Sequence, residues 1–306
     1  MDKYDLIIIG GGPAGLTAGI YASRARLKTV ILEKLFPGGH AASTSVIENY
    51  PGFAEGINGP DLMEIFTTQA QKFGCEVKTE EVVSIEAGEN NLKIIKTSSA
   101  QYEAKAVIIA SGSEPNLLGV EGEEKFKGRG ISFCATCDAP LYKSKTAVVV
   151  GGGDSACEEA LEIAKFADKV YLIHRRDTLR SVKILQERVS AQKKIEVILN
   201  SVVTAFNGEK RLESIKIKDV KISQEREIKA DGVFLYIGYK PLTEFIKFDI
   251  QKDEVGTIVT DDYCRTSVPG VFAAGDIRSK MLRQIVTAAA DGATAAFMAD
   301  KYISEL

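Results

Sequence analysis

The sequence predicts an α/β fold of two Rossmann-like, three-layer ββα domains, the second inserted into the first. Three observations predict it. The chain has 306 residues, enough for two domains of about 150 residues, each with its own core. A Gly-rich turn between an apolar run and a helical stretch occurs twice, at Gly10 and at Gly151, 141 residues apart. That spacing is too long for a solenoid repeat and suits one such unit per domain. Finally, two Gly-x-x-Pro turns, Gly112-Ser113-Glu114-Pro115 and Gly238-Tyr239-Lys240-Pro241, bracket the second unit.

The elements follow in order. Asp5 to Ile9 is a short β-rich run that ends in Gly10-Gly11-Gly12-Pro13-Ala14-Gly15; a helical stretch reaches to about Arg26 and a strand runs from Lys28 to Leu32. The second copy has a strand from Thr146 to Val150, then Gly151-Gly152-Gly153-Asp154-Ser155-Ala156, a helix to about Phe166 and a strand from Lys169 to Ile173. Apolar strands at Ala106 to Ala110 and Val233 to Ile237 each run into one of the Gly-x-x-Pro turns. Such turns stop a strand and stiffen the chain beyond it, so they read either as ordinary surface loops or as a double-stranded hinge. The hinge reading makes residues 115–242 a domain inserted into one built from 1–111 and 245–306, free to swing as a body.

Composition excludes several classes. Lys and Arg number 39 and Asp and Glu 42, a formal net charge of -3 with 45% hydrophobic residues, so there is no basic excess to hold a nucleic acid or an anionic membrane. The run from Leu6 to Ala22 is apolar, but it carries five glycines and a proline, which argues against a leader peptide or a membrane span. The cytoplasm is the expected compartment. Five cysteines, an odd count with Cys75, Cys157 and Cys264 isolated, do not make a disulfide framework.

In the first Gly-rich turn, Gly10 serves a tight bend, Gly12 a close approach of backbone to a pyrophosphate and Gly15 the packing of helix on strand. Glu33 stands 23 residues after Gly10, where a carboxylate accepts hydrogen bonds from a ribose diol and repels a 2′-phosphate. This site is expected to take FAD or NAD. In the second turn, Gly151-x-Gly153-x-x-Ala156, the same count of 23 residues reaches His174, followed by Arg175, Arg176 and Arg180. Cations replace the acid, and the planar Arg fork matches the 2′-phosphate of NADPH; a solvated basic helix start is the plainer alternative.

Cys134-Ala135-Thr136-Cys137 is the one close cysteine pair. Zinc would need two further ligands with no second close pair to supply them. Haem attachment would need His after the second Cys, where Asp138 stands. A redox disulfide remains, with two structural thiols as the alternative. Asp138 is then a proton donor if burial raises its carboxyl pKa.

These motifs together, with Glu48-Asn49-Tyr50-Pro51-Gly52 and Val271-Phe272-Ala273-Ala274-Gly275-Asp276, resemble those of low-molecular-weight thioredoxin reductases over essentially the whole chain. The resemblance implies a homodimer with FAD in the discontinuous domain and NADPH in the inserted one. It implies FAD contacts from Gly10, Gly12, Pro13, Ala14, Gly15, Glu33, Gly39, His40, Asn49 and Gly112. Asp276 would bond the ribityl chain, and the backbone of Arg283, Gln284 and Ile285 would face the pyrimidine edge. NADPH would meet Gly151, Gly153, Asp154, Ser155, Ala156, His174, Arg175, Arg176 and Arg180. NADPH would reduce FAD, and reduced FAD the Cys134–Cys137 disulfide with Cys137 the nearer sulfur. Cys134 would exchange with thioredoxin or a thioredoxin-like protein, Arg129 would touch that partner, and Asp138 would act as general acid-base. Because donor and disulfide share one domain and one flavin face, the domain would rotate between half-reactions. Glutathione-reductase-like enzymes, which use a C-terminal His, do not fit, since no His follows His174. The family has Gln after its paired glycines, whereas here His40 follows Gly38-Gly39; a titrating His there would make flavin reduction pH-dependent.

Overall fold

The computed structural model describes residues 2–44, 47 and 49–306, and only the backbone of Ser43, Thr136 and Cys137. Two compact units make up the chain, Met1–Glu114 with Lys240–Leu306, and Pro115–Tyr239. The first segment holds β1 (Asp2–Ile9), α1 (Pro13–Arg24), β2 (Thr29–Glu33), α2 (Gly59–Lys72), β3 (Glu76–Thr79), β4 (Val82–Ala87), β5 (Lys93–Thr97) and β6 (Gln101–Ile109). A short strand, β7 (Ser113–Pro115), leads into the second unit. That unit holds α3 (Glu123–Phe126), β8 (Ile131–Ser132), α4 (Ala135–Asp138), β9 (Thr146–Gly151), α5 (Asp154–Ile163), β10 (Lys169–Ile173), α6 (Lys183–Ala191) and β11 (Ile195–Ile198). After β12 (Ser201–Asn207), β13 (Ser214–Asp219), β14 (Glu225–Lys229) and β15 (Gly232–Tyr236), the strand β16 (Tyr239–Pro241) returns the chain to the first unit. There it adds β17 (Val271–Ala273) and α7 (Ile285–Ser304).

The first sheet runs β3-β2-β1-β6-β5-β4, with β17 also on β6. Strands β1, β2, β3, β6 and β17 are parallel, while β4 and β5 are antiparallel. The end of β1 from Leu6 to Ile9 is apolar without interruption because both its faces are covered. Leu6 and Ile8 join a core with Leu16 and Ala18 of α1 and Leu62 of α2. Ile7 and Ile9 join another with Ile85, Ile95 and Ile250. The second unit repeats the device: Val148 and Val150 face one core and Ala147 and Val149 the other. Its parallel sheet runs β11-β10-β9-β15-β8, with a separate β12-β13-β14 meander. Among the described residues no helix is long and apolar enough to cross a membrane.

Local chemistry sets the ends. Helix α1 stops at Arg24, short of the expected Arg26, because Arg26 takes a left-handed φ of 68° that no helix continues. Helix α5 stops at Ile163, short of Phe166, as i→i+3 bonds such as Phe166 N–H to Ile163 O (3.0 Å) tighten the chain. The crossing segments β7 and β16 pair as a two-stranded ribbon. The division after Glu114 and before Lys240 gives residues 240–242 to the first unit, where Leu242 N–H bonds Gly112 O at 3.1 Å.

Candidate functional site

In the first unit, β1 delivers the chain to Gly10, where φ is 100° and a Cβ would stand 2.4 Å from Ala110 O. A Cβ on Gly15 would meet Gly10 O at 1.9 Å, so turn and helix touch through backbone alone. Gly12 differs: a Cβ there meets nothing within 4 Å. No side chain caps α1, and Pro13 occupies its first turn, so its leading amides face that open space. Glu33 lies beneath: Oε2 accepts Gly11 N–H at 2.7 Å and Oε1 accepts Leu35 N–H at 3.1 Å. Each carboxylate oxygen keeps a second lone pair. Gly39, with φ of 54°, comes close to Gly12, 3.4 Å from its would-be Cβ to the Gly12 Cα.

His40 Nε2 lies 2.6 Å from Ser113 O. A carbonyl only accepts, so Nε2 carries the proton in this contact. Gly112 has φ of 67° with nothing within 4 Å of its would-be Cβ. Asn49 Nδ2 donates to Gln284 Oε1 at 2.9 Å, and Gln284 caps α7 in a capping box with Thr287. The Arg283 side chain is exposed. Glu48 lies outside the described residues.

Asp276 is half-buried, and its Oδ1 is buried without a partner among the described residues. Burial raises its carboxyl pKa, against the pull of Lys280, Arg283 and His40. A buried carboxylate oxygen left unbonded is costly, so it marks a place where a ligand donor belongs. Around it stands a cluster that sequence reasoning missed. Asp291 pairs with Arg278 Nη1 at 2.8 Å and Lys280 Nζ at 2.7 Å and accepts Gly275 N–H at 3.1 Å. Gly292, also unremarked in the sequence, lets α7 press on α1: a Cβ there would meet Ala14 O at 2.1 Å. The one available signal was the small-residue face of α7, Ala288, Gly292, Ala295 and Ala299, at helical spacing.

In the second unit the turn repeats. A Cβ on Gly151 would stand 2.5 Å from Tyr236 O, whereas Gly153 has nothing within 4 Å. No side chain caps α5. Asp154 Oδ1 accepts Val182 N–H at 2.7 Å and Arg180 N–H bonds Gly152 O at 2.6 Å, which fastens the 180–182 loop to the turn. Ser155, Arg175, Arg176 and Arg180 are exposed. His174 departs from its place among these cations: it is 5% exposed, and its Nδ1 lies 2.2 Å from where a Cβ on Gly152 would sit. Burial, then the charges of Arg180, Arg176 and Arg175, lowers its pKa. A neutral imidazole packs under the turn and three arginines remain as cations.

The cysteine segment lies on this unit, between β8 and β9. Cys134 is half-buried and disulfide-bonded, while Cys75, Cys157 and Cys264 are free and buried. Burial pushes the Cys75 and Cys264 thiols up to about 11 and raises Cys157, so all three are held as unreactive thiols. The Cys137 side chain lies outside the described atoms. Ser132 Oγ accepts Cys134 N–H at 3.1 Å, Asp138 N–H bonds Cys134 O at 3.2 Å, and Ala135 N–H donates to Tyr236 Oη at 2.7 Å. Asp138 is half-buried and the Arg129 side chain exposed.

Residues 4–292 match the model of the pyridine nucleotide-disulphide oxidoreductases. The chain is 46% identical over 303 residues to the thioredoxin reductase of Treponema pallidum, covering 99% of this chain and 98% of that protein. The crystal structure of Lactococcus lactis thioredoxin reductase superimposes with a TM-score of 0.83 at 42% identity, over 99% of this chain and all of that one. That of the Streptococcus pyogenes enzyme gives 0.78 at 44% identity, over 99% of each chain. The chain belongs to the pyridine nucleotide-disulphide oxidoreductases, among the thioredoxin reductases. Members of this family use FAD and NADPH. Its first unit offers what a flavin dinucleotide needs, a glycine turn under an uncapped helix, an acid at the ribose register and an orphaned buried carboxylate oxygen. For a thioredoxin reductase the second unit is equally suited, with an uncapped turn bordered by exposed arginines and a disulfide on the same unit.

Proposed function

We propose that this enzyme reduces the disulfide of thioredoxin or a thioredoxin-like small protein at the expense of NADPH, through the pair Cys134 and Cys137. The observation that carries the reading is the placement of a disulfide-bonded Cys134 on the same unit as the arginine-bordered turn, with the acid-bordered turn on the other. FAD, when bound, supplies a two-electron carrier between a hydride donor and a disulfide.

The chain's own residues then divide the work. The turn at Gly10, Gly12 and Gly15 holds a pyrophosphate on the N-terminus of α1, with Pro13 and Ala14 shaping the approach. Glu33 accepts from a ribose diol with its spare lone pairs. Asp276 Oδ1 takes the hydroxyl of a ribityl chain, and Asn49, Gln284 and the first amides of α7 face a ring edge that gains negative charge. In the other unit Gly151, Gly153, Ser155 and Ala156 hold the second pyrophosphate, Arg175, Arg176 and Arg180 its 2′-phosphate, and Asp154 positions the loop that carries Arg180. His174 supports Gly152 from below.

In the exchange, the Cys134 thiolate attacks one sulfur of the partner disulfide; the new S–S bond forms as the old one breaks and the other partner sulfur leaves as thiolate. Cys137 then attacks the Cys134 sulfur, restoring the internal disulfide and releasing the partner with two thiols. Asp138 gives the proton that the leaving thiolate needs, and Arg129 meets the partner's surface. The paired crossings β7 and β16 are the pivot about which the inserted unit turns between half-reactions. The family likeness supports a homodimer in the cytoplasm. A purified sample should show a flavin spectrum that NADPH bleaches and oxidised thioredoxin restores; a spectrum bleached but not restored would refute the reading.

A further inference from the structure

Cys157 is a buried thiol that the reaction outlined above leaves unused, and it has a partner on another segment. Its Sγ–H donates to Ser181 Oγ at 3.1 Å, with Cys157 wholly buried and Ser181 only 5% exposed. Burial raises the Cys157 pKa, so the thiol keeps the proton it donates. Asp154 and Cys157 stand three residues apart on α5 and share one face of its first turn. Both reach the same loop, since Asp154 Oδ1 accepts Val182 N–H at 2.7 Å. Arg180 N–H bonds the glycine turn itself, at Gly152 O, 2.6 Å away. From α6, Gln186 Nε2 donates to Ser181 O at 2.6 Å and to Leu179 O at 3.4 Å. Residues 179–182 are thus each fastened, and the exposed Arg180 side chain stands on a backbone bonded to the glycine turn, α5 and α6. Arg176 differs: its carbonyl accepts Asn200 N–H at 3.0 Å, a bond to the β11–β12 connection and not to the glycine turn.

We propose that Cys157 and Ser181 are positioning residues for donor selectivity: their buried bond holds the Arg180 backbone at a fixed span from the glycine turn, so that one dinucleotide meets the turn with its pyrophosphate and Arg180 with its 2′-phosphate. The proposal rests on the reading of that turn and of Arg180 as an NADPH site. Pyrophosphate and 2′-phosphate hang on one ribose, so the ligand itself dictates the span between the groups that hold them. A long Arg side chain loses rotamer freedom when it takes up a phosphate, and a backbone already held leaves less to be ordered. NADH has no 2′-phosphate and draws on the turn without Arg180. The Cys157 bond therefore acts on one donor and not on the other. Both side chains are buried and work through Arg180, without touching the nucleotide.

Mixing FAD-loaded enzyme with NADPH or NADH in stopped-flow gives, for each donor, a dissociation constant and a limiting rate of flavin bleaching. Ser181→Ala and Cys157→Ala should each weaken NADPH binding about three- to tenfold, the effect of one lost hydrogen bond, with the limiting rate and the NADH constant within about twofold of wild type. Cys157→Ser keeps a donor of similar size and should hold NADPH affinity within about twofold of wild type. Beside Arg180→Gln, Ser181→Ala should change NADPH affinity by less than about twofold, because the bond acts through that side chain. Equal losses for NADPH and NADH, as a role in packing alone would give, would overturn the proposal, and so would a full loss that persists beside Arg180→Gln. If Arg180→Gln by itself leaves NADPH affinity unchanged, the 2′-phosphate reading of Arg180 fails, and the proposal with it.

Discussion

Replacing Gly12 by Ala separates a glycine kept for the fold from one kept for a ligand. Gly12 has φ of -74°, a conformation any residue adopts, and a Cβ there meets nothing within 4 Å. Its only intrinsic cost is that Ala is a poorer helix N-cap than Gly, about 0.5–1 kcal/mol. For a unit of this size that lowers the melting temperature of the FAD-free protein by no more than about 2–4 °C. If a pyrophosphate occupies the open space, the added methyl overpacks it at a cost of about 1–3 kcal/mol, or about 5- to 150-fold in FAD affinity. Gly15→Ala is the contrast: its Cβ would lie 1.9 Å from Gly10 O, so backbone must move and the FAD-free protein itself should lose upward of about 3 kcal/mol. Calorimetry of stripped protein and fluorescence titration with FAD measure the two quantities separately. Gly12→Ala binding FAD as tightly as wild type, or losing as much FAD-free stability as Gly15→Ala, would refute the assignment of that space.

Further expectations concern the second unit. Replacing Arg175 and Arg176 by Gln should cut kcat/KM for NADPH by about 10- to 100-fold while NADH changes by less than about threefold, as expected for lost charge-assisted bonds to phosphate; equal losses for the two donors would contradict 2′-phosphate recognition. Cys134→Ser should abolish thioredoxin reduction while flavin bleaching by NADPH persists, and loss of both in stopped-flow would make the pair structural. Stability carries a pH signature from Glu159, whose pKa moves from 4.5 to about 7 in the fold. The folded chain binds the extra proton, so this stabilising contribution is complete below the unfolded value and is lost as pH rises through the folded one, by up to about 3 kcal/mol. Urea denaturation should therefore find Glu159→Gln gaining on wild type between those two pH values; a constant difference would exclude a buried acid there.

Much of the fold was legible because its determinants are local. An apolar strand, a glycine turn and a helix within some thirty residues specify a βαβ unit, and the count from Gly10 to Glu33 needs no partner outside it. The same count could not tell that His174 is buried, since position along a strand end says nothing of burial: the ring fills the space that Gly152 leaves without a Cβ. It likewise named Asp138 as the acid of the cysteine segment but passed over Glu159, which becomes an unusual carboxyl only when α5 packs against α4 and β15.

The sequence by itself determined the chemistry, namely two dinucleotide turns with an acid at one ribose register and arginines at the other, and a single cysteine pair among five cysteines. Backbone turns and phosphate recognition are written in short spacings because glycine, an uncapped helix and a neighbouring charge act within a few residues. Tertiary structure alone decided which distant residues serve those turns. Ala135 and Tyr236 are 101 residues apart in the chain and Asn49 and Gln284 are 235 apart, yet each pair shares a hydrogen bond. Parallel sheets join strands through long crossovers, so what meets at their ends depends on strand order and helix packing, which no local spacing records.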